Sequence, residues 1–144
     1  MKKVVYINAP VQNVFKAVYD AELQKKWLDF IVNVDYNNGI ASGKTFNISF
    51  KNGNNKDGIV TYTSIIKEYK ENQVFHVMAD GATMSAEIKY TLEAVDGKTK
   101  LTYENNTKAK TLPLKIMLAL TSWWMPSLMM NKYFKKLEEV AKGQ

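Results

Sequence analysis

The apolar positions of this chain change period twice, and the changes divide it into three parts. In the first, Val4 to Ile7 form a short β-rich run that ends at Asn8, Ala9 and Pro10. Pro10 then opens a helix in which Val11, Val14, Phe15 and Val18 keep the i, i+3, i+4, i+7 spacing of one buried face. Asp20 is placed to cap the N-terminus of a second short helix, with Leu23 and Trp27 one turn apart on the same side. Phe30 to Tyr36 reads as a strand, closed by the turn residues Asn37, Asn38 and Gly39.

From Lys44 the period becomes two, Phe46, Ile48 and Phe50 alternating with Thr45, Asn47 and Ser49. Turn signals then set the register. Asp96-Gly97, as a two-residue hairpin loop, puts Glu93 opposite Lys100, Thr91 opposite Thr102 and Lys89 opposite Glu104 on one face. On the other face it puts Leu92 opposite Leu101 and Tyr90 opposite Tyr103, each pair contributing about 0.2 to 1 kcal/mol. Asp80-Gly81, taken the same way, sets Val77 against Met84 and Phe75 against Ala86. Glu71-Asn72 sets Ile66 against Val77 and Ser64 against Ala79. The turn around Asn52 to Asn55 gives no register. These hairpins make an antiparallel meander with one dry face running from Phe46, Ile48 and Phe50 to Leu101 and Tyr103, continued by Asn105 and Thr107. The other face is mostly Lys, Glu and Thr, the pattern of a sheet wet on one side.

The third part, Leu112 to Val140, is predicted to be one long helix. Pro113 suits its first turn, Gly143 lies just beyond its end, and Lys132, Lys135, Lys136 and Lys142 complement its carbonyl end. Met130, Tyr133, Phe134, Leu137, Val140 and Ala141 share one face, and the stripe steps back through Ser127, Trp123, Leu120 and Ile116. The upstream half is apolar nearly all round, with Leu118, Met125 and Met129 opposite the stripe unless Pro126 bends the rod. Thr121, Ser122, Pro126 and Ser127 interrupt a run already short of the ~20 residues of a membrane span. The sheet needs a cover for its dry face, and this helix is the one element long enough to supply it.

Composition narrows the picture. The 144 residues suffice for one domain, 1–144, with a core that needs no staples. There is no cysteine, which removes disulfides and thiolate chemistry. The N-terminal apolar run is too short for a secretory signal, so a cytoplasmic location is expected. All 20 basic residues are lysine, giving a net charge of +6. Without arginine forks for bases and phosphates, nucleic acid is not an expected partner.

The order of strand, two short helices, strands and long helix, with Ile7-Asn8-Ala9-Pro10 before Val14-Phe15 and with Asp20 and Trp27 after it, resembles the START-related superfamily of polyketide cyclase/dehydrase-like proteins. The resemblance covers the whole chain and implies an α+β helix-grip fold, a curved antiparallel sheet of about seven strands wrapped on the C-terminal helix. It also implies a mostly apolar cavity between sheet and helix. Small residues Ser64, Ala79 and Ala86 among large ones on the dry face leave room for one, unless Trp123, Trp124 or a methionine fills it. The expected cavity residues are Tyr62, Ser64, Ala79, Ala86, Tyr90, Tyr103 and Asn105 from the sheet, with Met117, Leu120, Trp123 and Trp124 from the helix.

The chemistry available there is limited to hydroxyls and an amide. His76, the sole histidine, falls on the outer face opposite Ser85, and Glu87, Lys89, Glu93 and Glu104 share that face as cross-strand pairs. No paired carboxylate, metal-ligand cluster, nucleophile with a base or Gly-rich phosphate loop is visible, so no cofactor, metal or catalytic residue is expected. The expected partner is therefore a small hydrophobic or lipid-like molecule. Two alternatives stand beside it: a cyclase or dehydratase-type enzyme using tyrosines alone, and a module docking a membrane or protein through Leu118, Met125 and Met129, rimmed by Lys108, Lys110, Lys115 and Lys132.

Overall fold

The computed structural model describes residues 1–51, 58–81, 84–110 and 125–144, with only the backbone of residues 84, 109 and 125–129. Seven strands and three helices follow one another as β1 (Lys2–Ile7), α1 (Val11–Tyr19), α2 (Ala21–Trp27), β2 (Ile31–Asp35), β3 (Thr45–Lys51), β4 (Ile59–Lys70), β5 (Val74–Asp80), β6 (Met84–Val95), β7 (Lys98–Ala109) and α3 (Met125–Lys142). The strands form one antiparallel sheet in the order β1-β7-β6-β5-β4-β3-β2, so the meander is closed at one edge by the N-terminal strand. This is the α+β helix-grip architecture.

Local chemistry sets the boundaries. Pro10, extended at φ −61° and ψ 148°, precedes α1, and Asp20 ends it while starting α2, its Oδ1 accepting from Glu22 N at 3.0 Å and Leu23 N at 3.1 Å. Asp96 and Gly97 both take positive φ, 51° and 77°, as the mirror-image hairpin turn requires. All five pairs expected from that turn are present.

Two other turns differ from expectation. Ser64 faces Ala79 and Ile66 faces Val77 as expected, but a bulge then shifts the register, so that Tyr69 faces Phe75. The turn beyond it carries Asn72 in the left-handed region at φ 62°. The Asp80-Gly81 register is displaced by four residues: Val77 stands opposite Ile88, not Met84, and Phe75 opposite Tyr90, not Ala86. Neither Asp80 nor Gly81 takes the positive φ of a two-residue loop, and Asp80 remains in the strand opposite Ser85. An even displacement conserves parity, so the described side chains of β5 and β6 keep their expected faces.

α1, α2 and α3 pack together over one end of the sheet. On α3, Tyr133, Phe134, Leu137 and Ala141 are buried, with Met130 and Val140 packed at the margin, so this part of the stripe lies where the seven-residue spacing put it. Polar ties fix the helix: Asn8 N donates to Glu138 Oε2 at 2.9 Å, Asn13 Nδ2 to Ala141 O at 3.2 Å, and Tyr133 Oη to Asp29 Oδ1 at 3.0 Å. The expected first half of the long helix, with its stripe residues Ile116, Leu120 and Trp123, lies outside the described residues. So do the side chains of Met125, Pro126, Ser127 and Met129, and the turn around Asn52 to Asn55.

Candidate functional site

The inner face of the sheet is a set of cross-strand rows, and neighbouring rows differ in size and burial. At the helix-covered end Leu92 and Leu101 are 4% and 0% exposed, and Phe15 and Tyr19 of α1 meet Tyr69 and Phe75 at ring-centroid distances of 5.5 to 6.4 Å. The next row is Tyr69, Phe75, Tyr90 and Tyr103. Tyr90 meets Trp27 edge-on at 6.3 Å and Tyr103 meets Phe134 at 5.6 Å, the favourable geometry for aromatic pairs.

Beyond these the rows open. Ile66, Val77, Ile88 and Asn105 form one; Phe46, Ser64, Ala79, Ala86 and Thr107 form the next. Val77, Ile88, Asn105, Ala79, Ala86 and Thr107 are half-buried. Ser64 is only 3% exposed, yet its Oγ has no hydrogen-bond partner among the described residues. Such a group normally carries a desolvation cost of about 1 to 3 kcal/mol when left unpaired. The other unpartnered buried atom among the described residues, Gln24 Oε1, lies in α2.

Polar tips line the boundary between the two ends. Asn105 Nδ2 donates to Tyr103 Oη at 2.9 Å, and Thr107 Oγ1 donates to Asn105 Oδ1 at 2.6 Å, a chain running along β7. Burial pushes the Tyr90 phenol well above its ordinary value, with Tyr103 and Tyr36 adding to the rise, and burial raises Tyr103 too, opposed by the Asn105 hydrogen bond. Both therefore keep their protons at neutral pH.

Of the expected cavity residues, Tyr62, Ser64, Ala79, Ala86, Tyr90, Tyr103 and Asn105 do share the inner face. Met117, Leu120, Trp123 and Trp124 lie outside the described residues. Three features escaped the sequence reading. Tyr69 is brought inward by the bulge, which no turn residue announces. Lys3 shares the parity of Tyr103 because β1 joins β7, a long-range pairing that no local turn encodes. Phe30 stacks on Phe50 at 5.9 Å and meets Tyr133 at 5.5 Å, extending an aromatic chain through Phe50 to Tyr62 at the half-buried end of β3 and β4.

The outer face carries a different feature, an open depression of about 490 Å³ lined by Met1, Lys2, His76, Glu87, Lys89, Glu104, Asn105 and Asn106. His76 is on this face as expected, but the displaced register sets it opposite Lys89 and Glu68 instead of Ser85. Its Nε2 lies 2.7 Å from Glu87 Oε1, and that hydrogen bond, followed by Lys67, holds the Glu87 carboxyl below its usual range. Carboxylates and ammonium groups alternate across it, as on a solvated sheet face. Among the described residues no group of three or more His, Asp or Glu is arranged to hold a metal. No helix among them is long and apolar enough to cross a membrane.

The family model for Activator of Hsp90 ATPase homolog 1-like proteins matches residues 8–141. The chain belongs to this family. No curated protein matches it. Among solved structures, protein MLL2253 of Mesorhizobium loti is 18% identical, with a TM-score of 0.70 over 100% of this chain and 98% of that one. A START superfamily protein of Mycobacterium smegmatis is 15% identical, with a TM-score of 0.70 over 99% and 97% of the two chains. The di-domain ARO/CYC protein BexL, of the BE-7585A biosynthetic pathway, is 16% identical, with a TM-score of 0.70 over 100% of this chain and 50% of its own. At these identities the likeness is one of fold, and it places this AHSA1-like chain among START and polyketide cyclase-like folds.

Proposed function

We propose that this AHSA1-like protein binds a small apolar or lipid-like molecule against the half-buried end of the inner sheet face. The observation that carries the reading is the row Phe46, Ser64, Ala79, Ala86 and Thr107. Its central side chains are the smallest on the face, and Ser64 Oγ is buried without a partner. A row of small groups leaves volume above the sheet, and a buried hydroxyl without a partner is what an incoming polar atom would satisfy. The side chains that would meet the molecule are Ser64, Ala79, Ala86, Ile88, Tyr90, Tyr103 and Asn105. They offer apolar surface, hydroxyls and an amide, the composition of a binding site whose affinity comes from burial and whose orientation comes from a few polar contacts.

The test is binding of a neutral environment-sensitive dye, N-phenyl-1-naphthylamine, followed by its emission. The dye should bind with a blue-shifted emission, and Ala86→Leu, which fills the row, should weaken it at least tenfold while the fold is retained. Native mass spectrometry of freshly purified protein should show a co-purifying small molecule. No dye binding together with no bound molecule would sink the reading.

A further inference from the structure

The backbone of β1 has one bonded edge and one open edge. Met1 and Asn105 exchange both backbone hydrogen bonds, Met1 N donating to Asn105 O at 2.6 Å and Asn105 N to Met1 O at 2.8 Å. The antiparallel register continues through Lys3 opposite Tyr103, Val5 opposite Leu101 and Ile7 opposite Thr99. Bonded and non-bonded pairs alternate in such a ladder, so Lys2, Val4 and Tyr6 aim N–H and C=O away from β7. β1 is the terminal strand of the sheet, and no hydrogen bond among the described residues reaches those groups. Beside them the side chains of Val4 and Tyr6 are 45% and 62% exposed. At the opposite edge, β2 is broken by a bulge between Ile31 and Asn33 and carries exposed Asn33 and Asp35, devices that discourage further pairing. β1 has no register shift, and Lys2 is the sole charge among its outward residues.

We infer that β1 is a self-pairing edge, on which a second copy of this chain adds antiparallel and joins the two sheets across a two-fold axis at Val4. Self-complementarity selects a second copy over a foreign strand. With Val4 opposite Val4 of the second copy, Lys2 meets Tyr6 and Tyr6 meets Lys2, so every outward residue has a partner and each pair exchanges two hydrogen bonds. The side chains suit this register. Two β-branched valines face one another, and each lysine ammonium lies against a tyrosine ring. Other registers fail on particular groups. Moving the axis toward Lys2 leaves Tyr6 unpaired and brings ammonium against ammonium. Moving it to Val5 puts Lys2 opposite Asn8, whose N–H already donates to Glu138 Oε2 at 2.9 Å. Each copy carries a net charge of +6, and physiological salt screens that repulsion beyond about 8 Å. A six-residue strand makes a small contact, so the dimer belongs to the weak, reversible class.

Sedimentation velocity at about 150 mM salt, from about 10 µM to about 1 mM protein, should show a reversible monomer–dimer equilibrium. Amide hydrogen exchange read by NMR should slow at Val4 and Tyr6 as concentration rises, and stay constant at Lys3 and Val5, which are already bonded to β7. Val4→Lys opposes two ammonium groups at the axis from a position that is exposed in the monomer, and should weaken association at least about tenfold. Val4→Pro removes one outward N–H, leaves the ladder to β7 complete, and should weaken it by a similar factor. Tyr6→Lys sets an ammonium opposite Lys2 of the second copy, and adding Lys2→Glu should recover much of the lost affinity, a rescue that depends on this register. A protein that is monomeric at every concentration, or a dimer untouched by both Val4 substitutions, overturns the inference. Association without added protection at Val4 and Tyr6 also overturns it, and failure of the rescue overturns the register.

Discussion

The two ends of the inner sheet face share strands, period and hydrogen-bonded register, and they differ in side-chain size and in what covers them. At the helix-covered end Trp27, Phe15, Phe75, Leu101 and Leu137 are all fully buried, and α1, α2 and α3 meet there. Two rows along the same strands, Ala79 and Ala86 stand where Phe75 and Tyr90 stand at the covered end, and their neighbours Val77 and Ile88 are half-buried. A protein interior is packed to near-crystal density, so exchanging large groups for small ones within one alternating pattern either draws the cover closer or leaves space. The first end is built for stability. The second keeps small and polar side chains together at some cost in packing, as functional sites commonly do.

The sharpest way to break this contrast is truncation. Trp27 is 0% exposed and its Nε1 donates to Ala17 O at 2.8 Å, joining α2 to α1 over the sheet. Trp27→Ala should cost about 3 to 5 kcal/mol, the largest effect expected of any single change here. Leu101→Ala, also from a fully buried position, should cost about 2 to 5 kcal/mol, and Ile88→Ala from the half-buried end should cost less than either. Thr102→Ala on the outer face should cost well under about 1 kcal/mol. Urea denaturation of the four variants measures the series, and an Ile88 variant as damaged as Leu101 would mean that the two ends are packed alike.

Enlargement sharpens the same contrast. Ala17, 0% exposed in α1, has no space to accept added methyl groups, and Ala17→Leu should cost about 1 to 3 kcal/mol through overpacking. Ala86→Leu should change stability by less than about 1 kcal/mol if the row above it holds space. Thermal melts with and without N-phenyl-1-naphthylamine separate the cases. Dye should stabilise wild type and Ala17→Leu, and should not stabilise Ala86→Leu.

Alternation made the sheet legible in the sequence almost in full, because period two assigns a face to each residue whatever the strand's partner. For that reason the four-residue displacement between β5 and β6 changed His76's neighbours and no residue's face. What alternation could not carry was the long-range pairing of β1 with β7, which brings Lys3 beside Tyr103, and the bulge that turns Tyr69 inward. The first depends on contacts far apart in the chain, and the second lies within a hairpin whose turn residues do not encode it. The candidate site was legible from side-chain size: Ser64, Ala79 and Ala86 stand out as small among large. The hydrogen-bonded chain of Tyr103, Asn105 and Thr107 was not, since it needs the positions of these side chains.

The smallest expected effect concerns the ties that hold α3 across the covered end. Asp29 is held below its ordinary value of 3.8, chiefly by the hydrogen bond from Tyr133 and then by Lys136, with partial burial opposing them. Glu138 is held below 4.5, chiefly by the Asn8 N–H, with Lys142 adding to the effect. A carboxylate whose folded value is depressed contributes stability that is complete above its unfolded value and is lost as pH falls through the folded one. The contribution should therefore be constant above about pH 5 and fade through the range below 4.5 and 3.8. Both side chains are partly in water, 55% and 33% exposed, so each tie should contribute less than about 1 kcal/mol. Urea midpoints measured from pH 6 to pH 3 should fall less steeply in Glu138→Gln and Asp29→Asn than in wild type. Identical slopes in all three proteins would show that these two ties do not hold the helix, and that apolar packing of Phe134, Leu137 and Ala141 alone secures the covered end.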